Sequence, residues 1–248
     1  MTAAHGPALA ARLRTFLWRL VEASAVICIP LLLVTSSANT VVNSSLLYRY
    51  GFGAYQIPTR TGIPMDQLLS VAEQTKDFFN AEDDLPLRVT IVRGGQAVPL
   101  YNEREVAHMQ DVRELMRQVR AVSDATLTYL LALLGIGLWV RKIAFVPAFI
   151  GILFRGSAAT LGLVALAGIA SVFDFEDLFL QFHLFSFSNN LWLLDPTKDY
   201  LLMMYPWGFF RDATLAIGGL IALVAAALLA LSKLMAERID KIVPPSRP

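Results

Sequence analysis

The chain is short of the residues that most soluble enzymes use for chemistry and cross-linking. Of its 248 residues, one is cysteine, three are histidine and only 17% are charged. A single cysteine, Cys28, excludes an intramolecular disulfide and a cysteine metal cluster. It lies in an apolar run behind bulky Val26 and Ile27, where a lipoprotein cleavage site wants small residues. A net charge of +1 without a long basic run argues against a nucleic-acid partner. The sequence contains no G-x-S-x-G elbow, no H-E-x-x-H zinc helix and no Gly-rich phosphate loop. Two internal histidines without cysteine or a third clustered histidine make a weak metal site. No cofactor or metal is expected, and no internal repeat or low-complexity tract occurs.

Apolar residues, by contrast, make up 56% of the chain, and the mean hydropathy is +0.54. That composition belongs to an integral membrane protein. A spanning helix needs roughly 20 mostly apolar residues. Four stretches qualify, near Thr15–Thr35, Thr126–Val140, Gly156–Phe173 and Ala213–Leu231. The second is short and must recruit flanking residues. Ile143–Phe154 reads as an interfacial segment or as an extension of a neighbouring span.

Orientation follows from the short flanks. Arg12, Arg14 and Arg19 precede the first span, Arg141, Lys142 and Arg155 join the second to the third, and Lys233, Arg238 and Lys241 follow the fourth. The third-to-fourth connection is acidic, with Asp174, Glu176, Asp177, Asp195, Asp199 and Asp212. The positive-inside rule places both termini inside and two segments outside. The tryptophans agree as an aromatic belt, Trp18 and Trp139 at inner ends, Trp192 and Trp207 in the outer connection. A cleaved signal peptide ending near Ser36-Ser37-Ala38 is the competing reading of the first span.

These features predict an α-helical integral membrane protein with four transmembrane helices. A small α+β extracytoplasmic domain lies between helices 1 and 2. The expected divisions are 1–35, tail and first span; 36–123, outer domain; 124–173, second and third spans; 174–212, outer aromatic loop; and 213–248, last span and tail. Within the outer domain, Gly51–Pro64 is rich in Gly and Pro and reads as a loop. Asp66–Asn80 has helical apolar spacing. Leu87–Ile91 and Ala97–Leu100, separated by Gly94-Gly95, read as a β-hairpin. Val106, Met109, Val112, Val119 and Val122 form a helical stripe running into the second span.

Two histidines sit in dense motifs beside these spans. His108 lies in the stretch Asn102–Arg113, with Arg104 four residues before it, Asp111 three after and Glu105 within a turn. A carboxylate beside an imidazole fixes its tautomer and raises its basicity, as a general base near neutral pH requires. The alternative is a salt-bridged amphipathic helix whose histidine has no chemical role. His183 lies among Phe175, Phe179, Phe182, Phe185 and Phe187, followed by Asn189, Asn190 and Trp192. An imidazole in such surroundings is desolvated and loses basicity, and Asn189, Asn190 or a backbone N–H is a possible oxyanion donor. The alternative is an interfacial aromatic helix with a snorkelling histidine.

Three stretches in this order resemble the bacterial lipoprotein intramolecular transacylase (Lit) family: Tyr48–Gly62, Asn102–Arg113, and Phe179–Pro196 with Tyr205–Phe210. The resemblance implies an acyltransferase of the bacterial cytoplasmic membrane, multi-pass, with both termini cytoplasmic and its site on the extracytoplasmic face. It would move the sn-2 acyl chain of a diacylglyceryl-cysteine lipoprotein onto that cysteine's own α-amino group. The partners it implies are the diacylated lipoprotein and membrane lipids. By the same resemblance His108 and His183 are the catalytic pair, His108 assigned as base and His183 as acid. Arg104, Glu105 and Asp111 would orient His108, and Asn189 and Trp192 would shape the site. The chain departs from the family pattern at Leu184, where Gln is expected, at Asn190, where Asp is expected, and at Ser186, which interrupts an aromatic pair. The other readings are a lipid-ester hydrolase using the same histidines and a non-catalytic membrane protein with a lipid- or partner-binding outer domain.

Overall fold

The computed structural model of the protein describes residues 6–82 and 85–242; His5 falls outside them. In chain order the elements are α1 (Gly6–Val42), α2 (Ser45–Ala54), α3 (Ile57–Thr61), α4 (Met65–Asn80), β1 (Thr90–Arg93), β2 (Gln96–Pro99), α5 (Glu103–Arg141), a 3₁₀ turn (Lys142–Phe145), α6 (Val146–Phe173), α7 (Phe175–Ser186), α8 (Tyr200–Met204) and α9 (Trp207–Ile242). The protein is therefore mostly helical with one two-stranded sheet. Among the described residues, three helical stretches are long and apolar enough to cross a membrane: Arg12–Val42, Glu103–Ile169 and Trp207–Ile239. The middle one is 67 residues and contains the second expected span and most of the third. Only 11% of the apolar window in Trp207–Ile239 is buried inside the protein. Its hydrophobic surface faces outward, as lipid solvation requires.

The chain divides into two compact units. The first comprises residues 1–35, 122–165 and 220–248. Here α1 meets α5 through a hydrogen bond between the Ser24 and Tyr129 hydroxyls at 2.7 Å. Arg155 of α6 reaches Glu22 of α1 at 3.6 Å. The helices approach closely where Gly156 meets Ile29, and a Cβ at Gly156 would collide with that side chain. Small residues at helix contacts are the usual means of packing in lipid, where no hydrophobic force drives helices together. Lys142, with φ of 53°, breaks α5 from α6 in the left-handed region.

The second unit comprises residues 36–121 and 166–219, so segments far apart in sequence share one core. Leu68, Val71, Ala72, Phe78 and Phe79 of α4 form one wall of that core, and Leu87, Val89, Ile91 and Leu100 of the hairpin region form another. The strands pair antiparallel, Thr90 with Pro99 and Arg93 with Gln96, around Gly94 and Gly95, both at positive φ. That is the requirement of a two-residue type I′ turn. The free edge of β1 is covered by a helix. Gln67 and Gln74, two turns apart on α4, each bond through the side-chain amide to both N–H and C=O of a strand residue, Val92 and Thr90 respectively. Two glutamines thus serve where a third strand would lie.

The basic stripe of α5 also has a structural use. Arg113, fully buried, donates to the carbonyls of Ala81 and Leu85 at 2.8 and 3.1 Å and lies over the Phe78 ring. Arg120 donates to the Phe79 carbonyl at 2.7 Å, and Arg117 to that of Glu82 at 3.2 Å. These cations satisfy carbonyls at and beyond the C-terminus of α4, where a helix leaves acceptors unpaired and its dipole favours positive charge.

The expected loop at Gly51–Pro64 is largely helical, because its glycines and prolines act by packing and capping. Pro58 sits in the first turn of α3, where its missing N–H costs nothing, and Gly62 caps that helix at φ of 69°. Gly51 faces the Phe209 ring, and Gly208 faces the ring of Tyr55; a Cβ at either would overlap those rings. The Tyr55 hydroxyl passes over Gly208 to donate to Asp212 at 2.7 Å, and the Tyr50 hydroxyl donates to the same oxygen at 2.9 Å. Replacing Gly208 with Ala gains up to about 1 kcal/mol of helix propensity. The collision with Tyr55 costs about 1–3 kcal/mol. Gly208→Ala is therefore expected to lower the thermal midpoint in detergent, and Tyr55→Ala in the same background to remove most of that loss.

Candidate active site

The site begins with how α5 starts. The Asn102 side-chain oxygen accepts from the backbone N–H groups of Arg104 and Glu105, both at 3.0 Å, and Glu105 in return accepts from the Asn102 N–H at 2.8 Å. This reciprocal capping box fixes the first turn of the helix. The other Glu105 oxygen accepts from the Leu201 N–H at 2.6 Å, seating α8. Glu105 is 1% exposed, and burial raises its pKa while the two N–H bonds act against that rise. His108 follows three residues later, buried at 6% exposure.

His183 ends α7, which starts with Asp174 accepting from the Asp177 N–H at 2.9 Å and with Glu176 and Asp177 in its first turn. Both devices suit a helix N-terminus. His183 is 8% exposed, and its Nδ1 lies 2.8 Å from the carbonyl of Phe179. A carbonyl only accepts, so Nδ1 carries the proton and the Nε2 lone pair is left for another donor. The two imidazole centroids are 6.2 Å apart, with Phe187 packed against both at 5.2 and 5.5 Å. Hydrogen bonds of about 2.8 Å from a nitrogen on each ring can meet at one atom, or at two bonded atoms, across this span. The ring of Phe179 at 4.3 Å, Phe182 at 5.4 Å and Trp192 at 5.1 Å complete the enclosure of His183. Among the described residues, no hydroxyl hydrogen-bonds either imidazole.

The charged neighbours of His108 do not touch it. Arg104 donates to the carbonyls of Asn190 at 2.6 Å and Leu191 at 3.4 Å. Asp111 accepts from the Asn189 side-chain amide at 2.9 Å. Glu105 is held by the caps described above. One turn on either side of His108, Arg104 and Asp111 grip the loop that carries Trp192, and the Trp192 indole N–H donates to the Asn189 carbonyl at 2.9 Å. The hydrogen bonds of Arg104, Glu105 and Asp111 thus run to the loop and to the helix start rather than to the imidazole. They position the loop that closes over His183, because its backbone carbonyls and the Asn189 amide outcompete the imidazole. Asn189 commits one of its two amide hydrogens to Asp111. The Nδ1 of His108 is buried without a hydrogen-bond partner.

Of the three departures from the family pattern, Leu184 is 57% exposed. Asn190 contributes its backbone carbonyl, which any residue supplies. The Phe179 carbonyl is the His183 partner that the sequence did not single out. The signal for the carbonyl was the i, i+4 spacing of Phe179 and His183 on one helix.

Both imidazoles are neutral near pH 7. Burial, followed by the proximity of His183, lowers the pKa of His108 to about 4, with Asp111 acting weakly against it. Burial also lowers that of His183, opposed by its bond to Phe179. The arrangement is a helical membrane protein's enclosed pair of neutral imidazoles, able to accept and return a proton out of water.

Comparison with known proteins agrees. Residues 23–210 match the family model for the lipoprotein intramolecular transacylase Lit. The structure of the membrane-integral lipoprotein intramolecular transacylase Lit from Bacillus cereus is similar at 21% identity and a TM-score of 0.77, over 90% of this chain and 97% of that one. A variant of the same protein with a histidine replaced by arginine is similar at 20% identity and a TM-score of 0.76, over 96% and 100% of the two chains. No curated protein sequence matches. The family match spans about three quarters of the chain, and the chain belongs to the lipoprotein intramolecular transacylase Lit family.

The depressed pKa of His108 has a consequence for stability. Between the ordinary value of 6.5 and about 4, the unfolded chain binds a proton that the folded site refuses. This stability is present above pH 6.5 and is lost as pH falls. Thermal unfolding in detergent at pH 4.5 is expected to show a loss of about 2–3 kcal/mol from this residue relative to pH 7. His108→Gln should be less acid-sensitive by that amount; equal sensitivity would contradict the burial argument.

Proposed function

We propose that the chain transfers the sn-2 acyl chain of a diacylglyceryl-cysteine lipoprotein to the same cysteine's α-amino group. The observation that carries this reading is the buried, facing pair His108 and His183 in a chain of this family. The Phe179 carbonyl supports His183, rather than His108, as the base, since it leaves Nε2 with a lone pair. His183 takes a proton from the attacking amine as the N–C bond forms at the acyl carbon. His108 donates a hydrogen bond and then a proton to the glycerol oxygen as the C–O bond breaks, and the proton held by His183 replaces it. No water or net proton is consumed. Amine and ester belong to one molecule, so proximity supplies much of the rate and no covalent enzyme intermediate is needed.

The same reading includes four crossings. At 1.5 Å per residue, 67 helical residues would measure about 100 Å, against a hydrocarbon thickness of roughly 30 Å. The turn at Lys142–Phe145 divides them into two spans. Both termini then lie in the cytoplasm, with 36–123 and 174–212 outside. Their joint membership of one compact unit supports that placement. The site opens to the outer leaflet, where a diacylated substrate keeps its chains.

Mass spectrometry of the N-terminal lipopeptide of a co-expressed diacylated lipoprotein tests the reaction. The product should be N-acyl, mono-O-acyl at unchanged total mass. His108→Ala and His183→Ala should each lower its yield at least 100-fold while the proteins still fold. Loss of one acyl mass without N-acylation would indicate a hydrolase. Full activity in either folded variant would sink the two-histidine mechanism.

Topology is tested separately. With Cys28 replaced by Ser, a cysteine placed at exposed Gln96 should react with an impermeant maleimide on intact cells, and one placed at exposed Lys142 should react only after permeabilisation. The opposite pattern would invert the orientation.

A further inference from the structure

A second site lies in the other unit, away from the histidines. Between the start of α6 and the end of α9 is a cleft of about 480 Å³, lined by Pro147, Ile150, Gly151, Phe154, Arg155, Ser232 and Lys233 among others. Its walls are largely apolar, and it carries two cations. Arg155 donates from Nε to the Gly151 carbonyl at 3.1 Å and reaches Glu22 at 3.6 Å, which leaves its guanidinium half exposed. Lys233 is exposed, and Glu237 stands one turn beyond it. Arg155 interrupts the apolar run of α6, and Lys233 follows the long apolar run of α9 that ends at Leu231. An apolar cleft bearing two cations matches a lipid whose phosphate is anionic and whose chains stay in the membrane. Basic pockets between transmembrane helices on the cytoplasmic side hold such head groups.

We infer that the cleft between α6 and α9 binds one anionic phospholipid of the cytoplasmic leaflet, its phosphate held between Arg155 and Lys233. The leaflet rests on the orientation proposed above; the binding itself does not. The apolar walls of Phe154, Ile150 and Pro147 offer a soluble anion no partner. The residues that orient the chain in the membrane would thereby also recruit a lipid to the unit that lacks the histidines.

The test is native mass spectrometry of the full-length protein released from bilayers of equimolar phosphatidylglycerol and phosphatidylcholine. The expected result is one retained phosphatidylglycerol in preference to phosphatidylcholine. Each cation near an anionic head group is worth roughly fivefold, so Arg155→Gln with Lys233→Gln should weaken retention roughly 30-fold. Because Arg155 also meets Glu22, Lys233→Gln alone, a change at an exposed position, should give roughly fivefold. Lys198→Gln removes the same charge in the other unit and should leave retention unchanged. Equal retention of the two lipids, unchanged retention in the variants, or a matching loss in Lys198→Gln would overturn the site. Displacement of the lipid by inorganic phosphate would reassign it to a free anion. None of these readings depends on acyl transfer or on which side of the membrane the cleft faces.

Discussion

One buried carboxylate sets the register of the candidate site. Glu105 accepts the Asn102 N–H through one oxygen and the Leu201 N–H through the other. The first bond fixes where α5 starts, and His108 follows within a turn. The second ties that start to α8, more than 90 residues away in the chain. Asn102 adds a bond to Asp199 at 2.9 Å, and Asp199 accepts from the Asp195 N–H at 2.6 Å. A small polar network therefore joins the beginning of α5 to the segment that follows the Trp192 loop. Buried networks of this sort are costly when half satisfied and rigid when complete. Here each Glu105 oxygen has a backbone donor.

The flanks of His108 act at a distance through the loop they hold. Arg104 grips two carbonyls and Asp111 grips an amide, so residues 189–192 are attached to α5 above and below the histidine. Trp192 is then placed against His183. Closing the loop removes water from both imidazoles, and desolvation is the largest cause of the lowered pKa of each. Charges on α5 thus hold the loop whose Trp192 packs against the histidine of α7. A truncated Arg104 side chain would leave the imidazoles in place and admit water, which a spacing argument centred on His108 would not anticipate.

Much of this architecture is legible in the chain, for reasons particular to each element. The spans show because their apolar runs are long. Helix α4 shows because its apolar residues repeat near 3.6, and both histidines fall on helices whose caps, Asn102 and Asp174, are visible as short polar residues. The first strand is expected two to three residues early and the second one residue late, because Leu87 and Val89 are buried before the strands pair and alternation alone does not mark where pairing begins. Helices α2 and α3 are hidden by Gly51, which lets the Phe209 ring approach, and by Pro58 and Gly62, which start and cap α3; the first is a tertiary demand invisible to local propensity. The partners of Arg104, Glu105 and Asp111 were hidden for a similar reason. Spacing on a helix says which side chains can meet, but not which distant backbone group competes for them.

Among the described residues no hydroxyl hydrogen-bonds either imidazole, which fits the chemistry of the substrate proposed here. An enzyme that moves an acyl group between two molecules benefits from holding it covalently, because the acceptor arrives later. In an O-to-N transfer within one cysteine's lipid anchor, the amine is already tethered to the ester and effective molarity replaces the enzyme intermediate. What remains is to take a proton from the amine and give one to an alkoxide, in a place dry enough that water does not compete as acceptor. Two neutral imidazoles walled by Phe179, Phe182, Phe187 and Trp192 suit that task. The desolvation that lowers the basicity of His183 also makes it, once protonated, a stronger acid that returns its proton readily to His108.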